Sequence, residues 1–193
     1  KNNWNNIGRS FEGVLYHTET PFIKGGVSLF SLPIIEYHDE EHNDRKDNNL
    51  NGAYFTMPIS SIGKNSVIEP YMIRYQDNNP TQSYNLYGSR LNIERTALIL
   101  EAEVGMQNSS YISANMFSIN FGYRPEKIGW IQNLMIGAGQ VSGDDSNSEK
   151  REGFSKQFGA RHKHHGYYDY KSHKKFFGHE HVGLQEVNLK LNI

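Results

Sequence analysis

Cysteine is absent from the 193 residues. That excludes disulfides, thiolate metal sites and cysteine catalysis. No apolar run reaches the ~18 to 20 residues that a spanning helix needs, and the mean hydropathy is -0.70. Helical membrane spans are therefore excluded, but the membrane itself is not. Barrel strands alternate apolar and polar residues and average out as hydrophilic. Neither sign of charge dominates: the formal net charge is -1, so no basic excess points to nucleic acid as a partner. Tryptophan occurs twice and alanine is scarce, whereas the chain holds 12 Tyr, 10 Phe and 18 Gly. Aromatics favour strands, and the composition leans towards β structure and away from helix bundles.

What is present is alternation, the mark of a strand with two unlike faces. In Tyr111 to Tyr123, Phe117, Ile119, Phe121 and Tyr123 take one face, and Met116, Ser118, Asn120 and Gly122 the other. In Ala97 to Gln107, Leu98, Leu100, Ala102, Val104 and Met106 oppose Glu101, Glu103, Gly105 and Gln107. Val187, Leu189, Leu191 and Ile193 oppose Asn188, Lys190 and Asn192. Ile128 to Val141 alternates with Ile131 and Met135 as exceptions. Ser83 to Glu94 sets Leu91 and Ile93 against Arg90, Asn92 and Glu94, and Ser66 to Gln76 sets Tyr71, Ile73 and Tyr75 against Met72, Arg74 and Gln76. Gly52 to Ile59, Ile23 to Tyr37 and Phe11 to Thr18 complete about nine strands. Most run ~9 to 14 residues. The usual globular strand has ~5 to 6, and a tilted membrane-spanning strand ~9 to 11.

The connections separate by side. Glu19–Phe22, Ser60–Asn65, Arg95-Thr96 and Arg124-Pro125-Glu126 are short and fall on one side of an up-and-down meander. His38–Leu50, Asp77–Gln82 and Ser142–Val182 are the long ones and fall on the other, together with the short Asn108-Ser109-Ser110. Outer-membrane barrels show this asymmetry, with short periplasmic turns and long extracellular loops. The predicted fold is therefore all-β: an antiparallel up-and-down transmembrane β-barrel, residues 1–193 forming part of it and 142–182 a long extracellular loop. An odd strand number, a start at Lys1 with no leader segment and an end inside an alternating run lead us to read the chain as a piece of a larger barrel.

Chemistry-bearing clusters are few. Six of the nine histidines lie between His162 and His181, and imidazole ligates zinc, copper and nickel. No His-Glu-x-x-His helix accompanies them, so the tract reads as a solvated, aromatic-rich loop with no metal. Gly143-Asp144-Asp145-Ser146-Asn147-Ser148 lacks the full calcium-loop pattern and reads as a strand-ending turn. Glu101 and Glu103 share one face of one strand, whereas glycosidase carboxylates flank their substrate. No nucleophile elbow, phosphate loop or dinucleotide fingerprint appears, so neither an enzyme nor a cofactor is expected. The polar faces instead supply pore-lining candidates: Arg74, Arg90, Glu94, Glu101, Glu103, Asn120 and Lys190. Opposed charges there either set solute preference or brace the interior.

Two stretches resemble a known family. Trp4-Asn5-Asn6-Ile7-Gly8-Arg9-Ser10-Phe11-Glu12-Gly13-Val14 resembles the Trp–Asn…Arg–Thr/Ser–Phe–Asp/Glu–Gly–Val signature of alginate-export-type outer-membrane barrels. Ser142-Gly143-Asp144-Asp145, then Phe154, then His162-Lys163-His164-His165-Gly166-Tyr167-Tyr168-Asp169 is similar to that family's distal block. On this ground Trp4, Arg9, Phe11, Glu12, Gly143, Asp144, Asp145, His162, Gly166, Tyr167 and Asp169 are the family-motif positions. The resemblance implies a monomeric eighteen-stranded barrel in the bacterial outer membrane of Gram-negative cells. It implies passage of anionic polysaccharide or smaller polar solutes by passive diffusion, with lipid and solute as partners. His164 and His165 stand where the family often has Tyr. Trp130, Tyr123, Tyr111 and Tyr75 are expected in interfacial girdles. The alternatives are a soluble β-sandwich or barrel binding carbohydrate or metal, and a barrel serving adhesion. In the soluble case the apolar faces share a packed core; in a barrel they form an outward belt.

Overall fold

The computed structural model describes residues 13–21, 24–34, 48–124, 133–145, 147–155 and 183–192. The strands are β1 (Val14–Thr20), β2 (Gly25–Ile34), β3 (Asn48–Pro58), β4 (Val67–Gln76), β5 (Tyr84–Arg95), β6 (Leu98–Asn108), β7 (Ser113–Tyr123), β8 (Asn133–Val141) and β9 (Leu184–Asn192). They form one sheet in sequence order, each antiparallel to the next. This is the all-β, up-and-down meander that the alternation predicts. Among the described residues no helix is long and apolar enough to cross a membrane; a 3-10 turn, Pro80–Gln82, lies between β4 and β5.

The strand boundaries differ from expectation by a few residues. β3 begins at Asn48 rather than Gly52, because Asn48, Asn49 and Leu50 pair with Ile34, Pro33 and Leu32. Three asparagines in four residues read as loop, yet ladder pairing needs only their backbone groups. β9 starts at Leu184, close behind the expected Ser142–Val182 connection, and Leu184 to Glu186 pair with Val141, Gln140 and Gly139 ahead of the alternating run from Val187. The β5–β6 hairpin turns through Thr96, whose φ of 52° is left-handed. A β-branched residue is disfavoured there, and the eleven paired positions on each flanking strand hold it in place.

Burial runs opposite to that of a soluble sheet. In β7 Phe117, Ile119, Phe121 and Tyr123 are exposed, whereas Ala114, Asn120 and Gly122 are buried. Ile119 is 45% exposed and Asn120 beside it 8%. The same inversion holds in β6, where Leu98, Val104 and Met106 are exposed and Gln107 is fully buried. Exposed Leu134 and Ile136 on β8, and Val187, Leu189 and Leu191 on β9, extend the apolar face. The strand register connects these positions. Met57, Ile68, Leu91, Ala102, Ile119, Ala138 and Val187 are successive partners from β3 to β9, a row without a polar residue. From Leu98 to Met106 the belt covers about 27 Å of strand at ~3.4 Å per residue. At a tilt of about 40° that is ~20 Å, the order of a barrel's ~25 Å apolar band.

The buried hydrophobic cluster is small and sits at one end of the sheet. Tyr75, Tyr84, Ile112 and Ala114 pack together there, with Leu50, Leu86 and Phe154 against them. Tyr75 therefore corrects the girdle expectation. It is 4% exposed, turned to the shielded face, and its ring centroid lies 5.4 Å from that of Tyr84. Tyr123 is exposed at the end of β7 and Tyr111 is exposed in the turn just before its start; Trp130 lies outside the described residues.

Candidate pore wall

One residue along from the apolar row runs a row of different chemistry. Glu69, Arg90, Glu103, Ser118, Gly139 and Glu186 are successive partners from β4 to β9. The next row holds Val67, Asn92, Glu101, Asn120, Gly137 and Asn188. The one beyond holds Glu94, Ile99, Gly122, Met135 and Lys190. Side chains alternate between faces along each strand, so all three rows share the shielded face. Of the pore-lining candidates, Arg90, Glu94, Glu101, Glu103, Asn120 and Lys190 are brought together there.

Arg74 is not. It pairs with Asn85 on β5 and Asn51 on β3, on the face of Met72 and Tyr87. Its strand has apolar residues on both faces, so alternation alone does not tell in from out. Pairing to β5 decides it, and Arg74 belongs to the exposed face near the long-loop end. Glu69 takes its place on the shielded face. Its carboxylate receives a hydrogen bond from Arg90 Nη1 at 3.4 Å. Glu19 and Glu186 also lie on that face, by pairing with Gly26 and Gly139. Glu69 shares its face with Tyr71, Ile73 and Tyr75, which reads as the apolar one; Glu19 falls in the expected Glu19–Phe22 connection; and Glu186 precedes the alternating run that starts at Val187.

Aromatic residues line the same face. The Tyr54 and Tyr71 rings stack with centroids 5.9 Å apart and planes 5° from parallel. Tyr71 lies over Gly88, its cross-strand partner, and its hydroxyl donates to Glu103 Oε1 at 3.0 Å. A Cβ at residue 88 would overlap that ring, so the absence of a side chain on β5 makes room for the aromatic on β4.

At the long-loop end the segment after β8 turns back onto this face. Ser142 begins the turn: its N–H donates to Asn115 O at 2.9 Å, and its hydroxyl donates to Glu152 O at 2.6 Å while accepting from Asn115 N at 2.9 Å. Asp144 Oδ1 accepts from Glu152 N at 2.8 Å. Asp145 Oδ1 accepts from Asn147 N at 3.0 Å and Nδ2 at 3.2 Å, an Asx turn. The Ser-Gly-Asp-Asp block is therefore a strand-ending turn, as its composition suggests. It carries Arg151 to a parallel bridge with Ile112, places Phe154 on the Tyr75–Tyr84 cluster, and brings Ser155 to Gln107. The Arg151 guanidinium bonds Gln82. Burial pulls its pKa below the ordinary value, and Tyr84, Asp144 and Asp77 nearby counter part of that pull. The bonding of Gln107 to Ser155 spans 48 residues of chain and that of Arg151 to Gln82 spans 69, so local pattern gives no sign of either; Phe154 enters the sequence reading only as part of the distal block.

The other family-motif positions, Trp4, Arg9, Phe11, Glu12, His162, Gly166, Tyr167 and Asp169, lie outside the described residues, as does the rest of the histidine-rich tract. Comparison with curated proteins and with solved structures returned no match. The family described as Alginate export matches residues 1–174. With nine-tenths of the chain covered by that match, and a single up-and-down sheet of spanning length beneath it, the chain belongs to the Alginate export family.

Proposed function

We propose that this chain forms part of the wall of an outer-membrane channel that passes saccharides or other small polar solutes by diffusion along its polar face. The observation that carries this reading is the pair of adjacent rows. Met57 to Val187 is apolar and faces out across seven strands, whereas Glu69 to Glu186, one residue away, is polar and shielded. A soluble fold would place the first row in a packed core. Instead its members Ile119 and Val187 are 45% and 79% exposed, which in water is unfavourable by roughly 25 cal/mol per Å² of apolar area. Lipid removes that penalty. Strand crossing also leaves no backbone group unpaired within the bilayer, provided the sheet closes. Membership of a family described as Alginate export supports transport rather than adhesion or catalysis.

The test is conductance. The purified protein is expected to need detergent, to migrate differently on a gel before and after boiling, to fractionate with the outer membrane, and to give discrete single-channel steps in a planar bilayer. A folded, heat-modifiable protein that gives no conductance in any condition refutes the channel.

A further inference from the structure

The charges on the shielded face are unequal. Among the described strand residues, that face carries Glu19, Glu69, Glu94, Glu101, Glu103 and Glu186 against Arg90 and Lys190. The exposed face carries only Arg74 and Arg95, through pairing with Asn85 and Leu98. Because the two faces carry opposite signs, the near-zero net charge of the chain hides a polarised wall. Of these two strand cations, Arg90 is already engaged by Glu69 at 3.4 Å. Between Glu103 and Glu186 in their row stand only Ser118 and Gly139. Between Glu101 and Asn188 stand Asn120 and Gly137. No bulky side chain in these rows separates the carboxylates from whatever passes over the wall.

We infer that this wall selects against anions, and that the solutes it admits are neutral or cationic. This rests on the channel reading and departs from the anionic solute that the family resemblance implies. The effect is a field, not a binding site. A low-dielectric wall lined by one sign of charge concentrates counter-ions and repels like charges along its length. A polyanion would meet the repulsion at every repeat, whereas a neutral sugar would meet none. Glu69, Glu101, Glu103 and Glu186 lie on three strands, β4, β6 and β9. Unlike a clustered carboxylate site, they spread the potential across the sheet. The stacked Tyr54 and Tyr71 beside them offer an uncharged flat surface, suited to the face of a sugar ring.

The experiment is a reversal-potential measurement on the protein in a planar bilayer under a KCl gradient. The expected sign is that of a cation-preferring pore. The preference should shrink as total KCl rises from 0.1 to 1 M, where the screening length falls from about 10 to 3 Å. Glu101→Gln combined with Glu103→Gln should move the reversal potential towards zero, while the corresponding Glu→Asp pair, which keeps the charge, leaves it in place. The Asp pair also shows whether altered side chains still assemble a conducting barrel. Conductance with anion preference, or a Gln pair whose reversal potential is unmoved, overturns this inference and leaves the channel standing. A folded protein without conductance overturns both.

Discussion

Gln107 and Ser155, 48 residues apart, exchange two hydrogen bonds: Gln107 Nε2 donates to Ser155 O at 2.7 Å and Ser155 N donates to Gln107 Oε1 at 2.9 Å. Gln107 is 0% exposed and stands on the polar face of β6. A single side-chain amide thus satisfies both backbone groups of a residue in the returning segment. Phe154, one residue earlier, fills the hydrophobic cluster that Tyr75 and Tyr84 open towards it. Beyond the Arg151 bridge to Ile112, residues 154 and 155 thus add one apolar and one polar contact that hold the segment after β8 on the shielded face.

Gln107→Leu tests that fastening. Leucine keeps much of the volume and removes both hydrogen bonds, each worth a net of about 1 kcal/mol. Losing about 2 kcal/mol raises the opening equilibrium of the segment on the order of thirtyfold. Trypsin reads this directly, because Lys150 and Arg151 lie in the segment and cleavage of a transiently opened stretch follows its open population. The variant should be cut there faster by a similar factor while the strands stay intact. An unchanged rate would show that the amide does not hold the segment.

The two faces of β7 make opposite forecasts for the same substitution. Ile119 sits in the apolar row between Ala102 and Ala138, and Ser118 in the polar row between Glu103 and Gly139. Arginine on the lipid face of a barrel costs about 2–4 kcal/mol near the bilayer midplane. In the polar row it would meet carboxylates instead. Ile119→Arg is therefore expected to lower unfolding free energy in lipid vesicles by about that amount, with Ser118→Arg close to neutral. Equal losses in denaturant titrations of the two variants would remove the distinction between faces.

β7 and β4 also show what was legible beforehand. β7 alternates strictly from Phe117 to Tyr123, so its inside and outside are evident from its residues alone, and the same pattern in β6 sets Glu101 and Glu103 on the face of Asn120. β4 puts Ile68 and Met72 on one face and Val67, Tyr71 and Ile73 on the other. Its two faces have nearly the same hydrophobicity, so only the register to β5 identifies Glu69 as inward and Arg74 as outward. The meander and its one-sided loops follow from local pattern. The fastening of Ser155 to Gln107 does not, because it depends on where a loop returns. Nothing in the neighbourhood of Gln107 distinguishes it from a solvated glutamine.

The last prediction concerns Gly88 and the ring above it. Tyr71 stacks on Tyr54, reaches Glu103, and lies where a side chain on residue 88 would be. Gly88→Val forces the ring off its seat, and overpacking of this kind costs about 1–3 kcal/mol. The displaced hydroxyl also releases Glu103, at a further ~1 kcal/mol or more for a bond to a charged group. Glycine in a strand is itself unfavourable by roughly 0.5–1 kcal/mol against a residue with a side chain. Without the ring, valine at 88 should therefore be neutral or stabilising. Tyr71→Ala alone should cost the stack and the Glu103 bond, and Tyr71→Ala with Gly88→Val should be no worse than Tyr71→Ala alone. That non-additivity is what residues in direct contact show, and it separates a specific collision from a general intolerance of β5 to substitution. Unfolding of the four proteins in the same lipid provides the cycle. Additive losses would mean that the ring and the glycine are independent.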